Sequence, residues 1–264
     1  MIIHNFDPVI VDFGFLQLRW YSVSYIAGIL IGWYYLNKVI SKLNTKNSLI
    51  IKYQYIDDFI IYLIIGIILG GRFGYVLFYD LNFFFKNPIE ILLIWNGGMS
   101  FHGGLIGVIL SSYFFSKNKK FNFLKLTDML ACATPIGLFF GRIANFINGE
   151  LYGKATSVSW SVIFPKIDNI SRHPSQIYEA LLEGIVLFII INFLSIKKKL
   201  IFKTGFTSSF FLIFYGLFRI ISEIYREPDA HLGYFFNILS MGSILSIFMI
   251  ASGFTIIFFL KDEK

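Results

Sequence analysis

The chain has 264 residues, 56% of them hydrophobic, 19% aromatic and 15% charged, with a mean hydropathy of +0.69. That balance excludes a water-soluble globule, whose single core cannot hide so much apolar surface, and a disordered chain, which is charge-rich and poor in aromatics. One cysteine, Cys132, excludes an internal disulfide framework and a cysteine-based zinc site, and the net charge of +7 gains meaning only when mapped along the chain.

Before the first apolar run stand Asp7, Pro8 and Asp12, and no small-residue cleavage site follows a basic head. The first run is therefore expected to stay in the mature protein, with its aromatic preamble, Phe13 to Tyr21, lying along the membrane surface as an interfacial helix. Apolar runs of about 20 residues, enough to cross the hydrocarbon as helix, follow in order. They are Arg19 to Asn37, Ile56 to Tyr79, Gly98 to Ser116, Asp128 to Ile147, Ile177 to Ile196, Gly205 to Tyr225 and Asn237 to Leu260. The expected fold is an all-α polytopic membrane protein of about seven transmembrane helices. It forms a single integral membrane domain over residues 1–264, with a small outer-face head region inserted at about 148–176.

The lysines set the expected direction. Lys38, Lys42, Lys46 and Lys52 follow span one; Lys117, Lys119, Lys120 and Lys125 follow span three. Lys197, Lys198, Lys199 and Lys203 follow span five, and Lys261 and Lys264 follow span seven. These fourteen lysines mark alternate connections as cytoplasmic, which puts the amino terminus outside and the carboxyl terminus inside. The six arginines, Arg19, Arg72, Arg142, Arg172, Arg219 and Arg226, fall instead in outer loops or the outward half of a span. Arginine's flat fork of donors grips phosphate or carboxylate, so this placement points to anion chemistry at the outer face. Snorkelling to headgroups and structural ion pairs are the competing account.

Polar residues at membrane depth are costly and mark function or pairing. Entering span three, Asn96 to Leu105 set four glycines around His102. Those glycines would let a ligand approach an imidazole able to exchange a proton near neutrality; a helix-packing histidine is the alternative. Closing span four, Gly141 to Glu150 carry Arg142, Asn145, Asn148 and Glu150 within ten residues, more than helix capping requires. Opening span five, Arg172 to Glu179 read as mainly structural, with His173 exposed and Glu179 a partner for one of the arginines; Glu183 follows one turn on. In span six, Tyr215, Arg219 and Glu223 share one helix face. There Glu223 pairs with Arg219, and Arg219 suits a phosphate-sized anion equally well.

His4, His102, His173 and His231 are far apart, and no metal signature is present. Cys132 reads as a small buried hydrophobe, no cofactor is implied, and topology accounts for the lysines without nucleic acid.

The runs GGRFGYVLFY (Gly70 to Tyr79), NGGMSFHGGLIG (Asn96 to Gly107), GRIANFINGELYG (Gly141 to Gly153) and RHPSQIYE (Arg172 to Glu179) together resemble the bacterial prolipoprotein diacylglyceryl transferase family. The resemblance runs from Asp7-Pro8 through Tyr215 to Arg219, then Arg226-Glu227-Pro228-Asp229 and Ser240-Met241-Gly242, and covers essentially the whole chain. Two departures are Ala144, where glycine is common, and a short stretch from Phe164 to Arg172.

The resemblance implies a multi-pass enzyme of the bacterial inner membrane with its active site toward the outer face. Its substrates would be phosphatidylglycerol, drawn from the lipid bilayer, and prolipoprotein signal peptides bearing a lipobox cysteine. The diacylglyceryl group passes to the cysteine as a thioether and glycerol phosphate leaves. The same resemblance implies functional roles for Tyr25, His102, Arg142, Asn145, Glu150, Gly153, Tyr215 and Arg219. Arg142 and Arg219 are assigned to the phosphate, Asn145 and Asn148 to headgroup oxygens, and Gly153 and Arg226 to lipid binding. As thiol base His102 is preferred over Glu150. A transporter would spread its unusual polar residues over both halves of the membrane; their concentration in the outer half favours the enzyme.

Overall fold

The structure is a computed structural model that describes residues 2–14, 17–44, 53–78, 81–94, 97–228 and 239–262. Lys46, Lys52, Tyr79, Asn96, Asp229, His231, Asn237 and Lys264 lie outside the described residues. The helices are α1 (Trp20–Asn44), α2 (Tyr53–Phe78), α3 (Leu81–Lys86), α4 (Phe101–Lys119), α5 (Phe123–Asn148), α6 (Ser175–Lys197), α7 (Phe206–Glu223) and α8 (Met241–Asp262). Short strands are β1 (Ile2–Ile3), β2 (Val9–Asp12), β3 (Gln17–Arg19), β4 (Val162–Ile163) and β5 (Ser171–Arg172).

Six of these helices, α1, α2, α5, α6, α7 and α8, are long and apolar enough to cross a membrane, so the protein is a multi-pass membrane protein. The expected third span forms a helix of 19 residues, α4, but its glycines, serines and His102 dilute the hydropathy that the other six carry. The preamble of span one is not an interfacial helix. Val9–Asp12 pairs antiparallel with Gln17–Arg19. The Asp12 carboxylate accepts from Gly14 N at 2.7 Å and from Gln17 Nε2 at 3.0 Å, and Gly14 takes φ +83°. A β-branched run ended by an Asp and a left-handed glycine favours a hairpin over a helix.

The chain divides into two compact units, Met1–Leu36 with Asp128–Lys264, and Asn37–Thr127. In the first, a Cβ on Gly28 of α1 would lie 3.0 Å from Gly137 Cα of α5, so these helices meet backbone to backbone. Asp128 of α5 is wholly buried at the start of α7. Its Oδ2 accepts from Gly205 N at 2.6 Å, and its Oδ1 accepts from Ser208 N at 2.8 Å and Ser208 Oγ at 3.0 Å. The carboxylate thereby caps a helix N-terminus, where the macrodipole favours negative charge.

The insertion between α5 and α6 builds a small sheet in the order β1-β4-β5, with β1 parallel to β4 and β4 antiparallel to β5. His4 fastens the amino-terminal strand to the end of α5, its Nε2 standing 2.7 Å from Phe146 O and its ring against Phe6, Phe146 and Phe164. The short Phe164–Arg172 stretch is a tight turn, with Ile167 N donating to Phe164 O at 2.8 Å and Arg172 Nη2 donating to Asp168 Oδ2 at 2.6 Å.

In the second unit, Gly66, Gly70 and Gly74 of α2 face Gly103 and Gly107 of α4. A Cβ on Gly107 would collide with Gly66 O, and one on Gly103 with Gly70 O. This is the close approach that small residues at four-residue spacing permit between membrane helices. Arg72, 5% exposed, clamps the connection that follows α3. Its Nε donates to Ile91 O at 2.9 Å, its Nη1 to Gly97 O at 2.6 Å and Gly98 O at 3.0 Å, and its Nη2 to Glu90 O.

Candidate active site

Three helices of the first unit converge on a buried lattice of ion pairs. Glu179 and Glu183 are one turn apart on α6, where the backbone slips into π-helical geometry from Ala180 to Val186, and neither has exposed surface. Arg142 of α5 places Nη1 2.8 Å from Glu179 Oε2 and Nη2 2.9 Å from Glu183 Oε2. Arg219 of α7 places Nη1 3.0 Å from Glu179 Oε1 and 3.5 Å from Glu183 Oε1, and its Nη2 pairs with Glu223 Oε1. Just past α7, Arg226 Nη1 lies 3.5 Å from Glu179 Oε1 and 3.8 Å from Glu223 Oε1.

Among the described residues the lattice holds three arginines against three glutamates and is formally neutral. Buried charges persist only when paired in this way, because desolvating an unpaired one costs several kcal/mol, ~3–5 when one partner of a pair is removed. The start of α8 completes the enclosure. Ser240 Oγ donates to Glu223 Oε2 at 2.6 Å, and a Cβ on Gly242 would collide with Glu223 Oε1.

A second cluster adjoins the first through α5. Glu150, exposed, accepts from Asn145 Nδ2 at 2.7 Å and from Asn148 Nδ2 at 3.3 Å. The α6 start holds the same turn, Gln176 Nε2 donating to Glu150 O at 2.6 Å and Ser175 Oγ to Leu151 O at 2.9 Å. Tyr25 of α1 lies within electrostatic reach of Arg142 and Glu150, and Tyr215 of α7 within reach of Arg142, Arg219, Glu179 and Glu183. The first unit thus brings together Tyr25, Arg142, Asn145, Asn148, Glu150, Tyr215, Arg219 and Arg226.

Several expectations change at this level of detail. The Nδ2 atoms of Asn145 and Asn148 are engaged with Glu150 rather than free to orient a headgroup. Gly153 has a packing reason for being glycine, since a Cβ there would collide with His173 O and stand 2.7 Å from Tyr225 O. His173 is not exposed. It is half-buried with Nδ1 3.1 Å from the Tyr178 hydroxyl, and burial holds its pKa below the usual histidine value. Arg72 and Arg172 are structural: the first binds loop carbonyls, and the second pairs with Asp168 and donates to Gly153 O at 3.1 Å. The Arg172 guanidinium holds the Asp168 carboxyl below the usual carboxylate range.

His102 belongs to the second unit, in the first turn of α4 with its side chain exposed. Of its flanking glycines, Gly103 serves helix contact, facing Gly70 and Gly74, and Gly97 and Gly98 take φ +88° and +82° in the turn before α4. The residue that sequence reasoning undervalued is Glu183. A second glutamate one turn after Glu179 in an apolar run was the available signal, because two buried carboxylates on one face require cations opposite.

The first unit of this multi-pass helical membrane protein thus gathers three arginines and three glutamates into one lattice beside an amide-held carboxylate. A family model described as Prolipoprotein diacylglyceryl transferase matches residues 8–259. The chain is 53% identical over 257 residues to the phosphatidylglycerol–prolipoprotein diacylglyceryl transferase of Rickettsia bellii (strain OSU 85-389), covering 97% of this chain and 96% of the relative. It is 52% identical over 253 residues to the protein of that name from Rickettsia felis (strain ATCC VR-1525 / URRWXCal2), covering 96% of each. To that from Rickettsia canadensis (strain McKiel) it is 51% identical over 257 residues, covering 97% of this chain and 98% of the relative. The chain belongs to the prolipoprotein diacylglyceryl transferase family, and with it to the transferases.

Proposed function

We propose that this chain transfers the diacylglyceryl group of phosphatidylglycerol to the lipobox cysteine of prolipoprotein signal peptides. The cysteine thiolate attacks the glycerol carbon that bears the phosphodiester. A C–S bond forms, the C–O bond breaks, and its electron pair leaves on glycerol phosphate while the thiol proton passes to a base. Such a step needs charge neutralisation at the leaving phosphate and little activation of the nucleophile, whose pKa is near 8.5.

The observation that carries the reading is the convergence of Arg142, Arg219 and Arg226 around Glu179 in a chain of this family. Arg142 and Arg219 receive the phosphate through charge-assisted hydrogen bonds. Tyr25 and Tyr215 supply further donors, and Glu150, steadied by Asn145 and Asn148, meets the headgroup hydroxyls. Gly153 and Arg226 shape the lipid-binding side, and His102, an imidazole able to exchange a proton near neutrality, takes the thiol proton in preference to Glu150.

Topology completes the proposal. The chain spans the bacterial inner membrane seven times, α4 included, as a single membrane domain with the 148–176 insertion as its outer head. The amino terminus and the arginine lattice face outward, and the lysine-rich connections face the cytoplasm. The test is to incubate the purified protein with phosphatidylglycerol and a lipobox peptide. A peptide mass gain of one diacylglyceryl group with release of glycerol phosphate is expected, and an unmodified peptide overturns the reading.

A further inference from the structure

The lattice contains its own competitor for the lipid phosphate. Glu179 touches all three arginines of the lattice: Oε2 lies 2.8 Å from Arg142, and Oε1 lies 3.0 Å from Arg219 and 3.5 Å from Arg226. The two glutamates of α6 are nevertheless held differently. Glu183 Oε2 receives directed hydrogen bonds from Arg142 Nε at 3.2 Å and Nη2 at 2.9 Å. Both oxygens of Glu179 are buried without a hydrogen-bond partner among the described residues, so its contacts are charge against charge without N–H···O alignment. A directed bond fixes a carboxylate, whereas a charge contact without one is satisfied by any anion of similar size.

We infer that Glu179 is the resident anion of the phosphate site, a positioning residue that gathers Arg142, Arg219 and Arg226 in the empty enzyme and yields them to the phosphate of the lipid headgroup. Glu183, with its directed bonds, keeps Arg142 in place during the exchange. The inference rests on the proposal that these arginines receive that phosphate. Its consequence is a difference between substrate and product. The phosphodiester enters with one negative charge, while the released phosphate monoester carries about −1.5 to −2 at pH 7. A retained Glu179 carboxylate repels the more charged species more strongly and so drives product from a site that would otherwise hold it.

The experiment compares wild type, Glu179→Gln and Glu179→Asp for diacylglyceryl transfer to a lipobox peptide, with glycerol phosphate added as inhibitor. Removing one negative charge beside the phosphate should tighten glycerol phosphate inhibition on the order of tenfold in Glu179→Gln. The KM for phosphatidylglycerol and kcat should both fall, and Glu179→Asp should restore the wild-type inhibition constant. A merely structural role would lower activity without tightening inhibition, and that result overturns the inference. For the case in which Glu179→Gln does not fold, infrared difference spectra of the wild type on adding glycerol phosphate decide. A shift in the carboxylate stretching region is expected, and an unchanged region overturns the inference. Absence of transfer by the wild type overturns the functional reading itself, and the inference with it.

Discussion

Arg142 reaches two carboxylates of α6 at once, Glu179 through Nη1 at 2.8 Å and Glu183 through Nη2 at 2.9 Å. Only a planar fork spans both. Arg142→Lys keeps the charge but cannot bridge the two carboxylates at once and offers a phosphate a single point contact. Transfer activity should fall on the order of a hundredfold. Full activity in a lipobox-peptide assay would remove the case for a forked phosphate contact.

His102→Gln preserves size and one hydrogen-bonding face while removing the titrating nitrogen. Turnover should drop while binding of phosphatidylglycerol, followed by retention of labelled lipid on the purified protein, stays near wild type. Unchanged turnover would transfer the role of base to Glu150.

Two glycine substitutions should differ in sign. Gly107→Leu drives a side chain into Gly66 O of α2 and should cost about 2 kcal/mol or more in unfolding assays in detergent. On α5, a Cβ at Gly137 meets nothing within 4 Å, so Gly137→Ala should be neutral or stabilising by up to about 1 kcal/mol through helix propensity.

Arg72→Met keeps a long apolar side chain but removes the guanidinium over the Phe84 ring and strips the donors from the carbonyls of Ile91, Gly97 and Gly98. Proteolysis between α3 and α4 should quicken, because bonds from a charged donor contribute roughly 1.5–3 kcal/mol each. Wild-type protection would show that the loop holds itself.

Asp168 gives the head region a pH dependence. Arg172 lowers its carboxyl pKa in the folded state, so the pair's contribution is complete above the unfolded value, about 4, and is lost as pH falls through the lower folded value. Acid should therefore loosen the β4–β5 turn, as read by hydrogen exchange at Ile167 and Asp168. In Asp168→Asn that acid-dependent step should vanish, and its persistence would assign it to another group.

Much of the fold was legible because crossing a membrane imposes a length and a hydropathy that any such helix must show. The run Ile177 to Ile196 became Ser175–Lys197, and Asp128 to Ile147 became Phe123–Asn148. The amino-terminal hairpin was not legible as such, because its aromatic content reads equally well as an interfacial helix and the decision falls to Asp12 and Gly14. At the site, the shared face of Tyr215, Arg219 and Glu223 could be read from spacing alone, since i and i+4 neighbours must meet. That one carboxylate on α6 serves arginines from α5, α7 and the turn beyond was hidden, because partners across helices leave no periodic trace. The glycines near His102 are ambiguous for the same reason: Gly103 admits a neighbouring helix, and in sequence such a glycine is indistinguishable from one that admits a ligand.

Asp128 ties the beginning of α5 to the beginning of α7 through three bonds to Gly205 and Ser208. Arg142 and Arg219 lie toward the far ends of these two helices. Between those ends stands α6, whose Glu179 and Glu183 hold both arginines, so α5 and α7 are fastened at one end by a carboxylate cap and at the other by shared carboxylates.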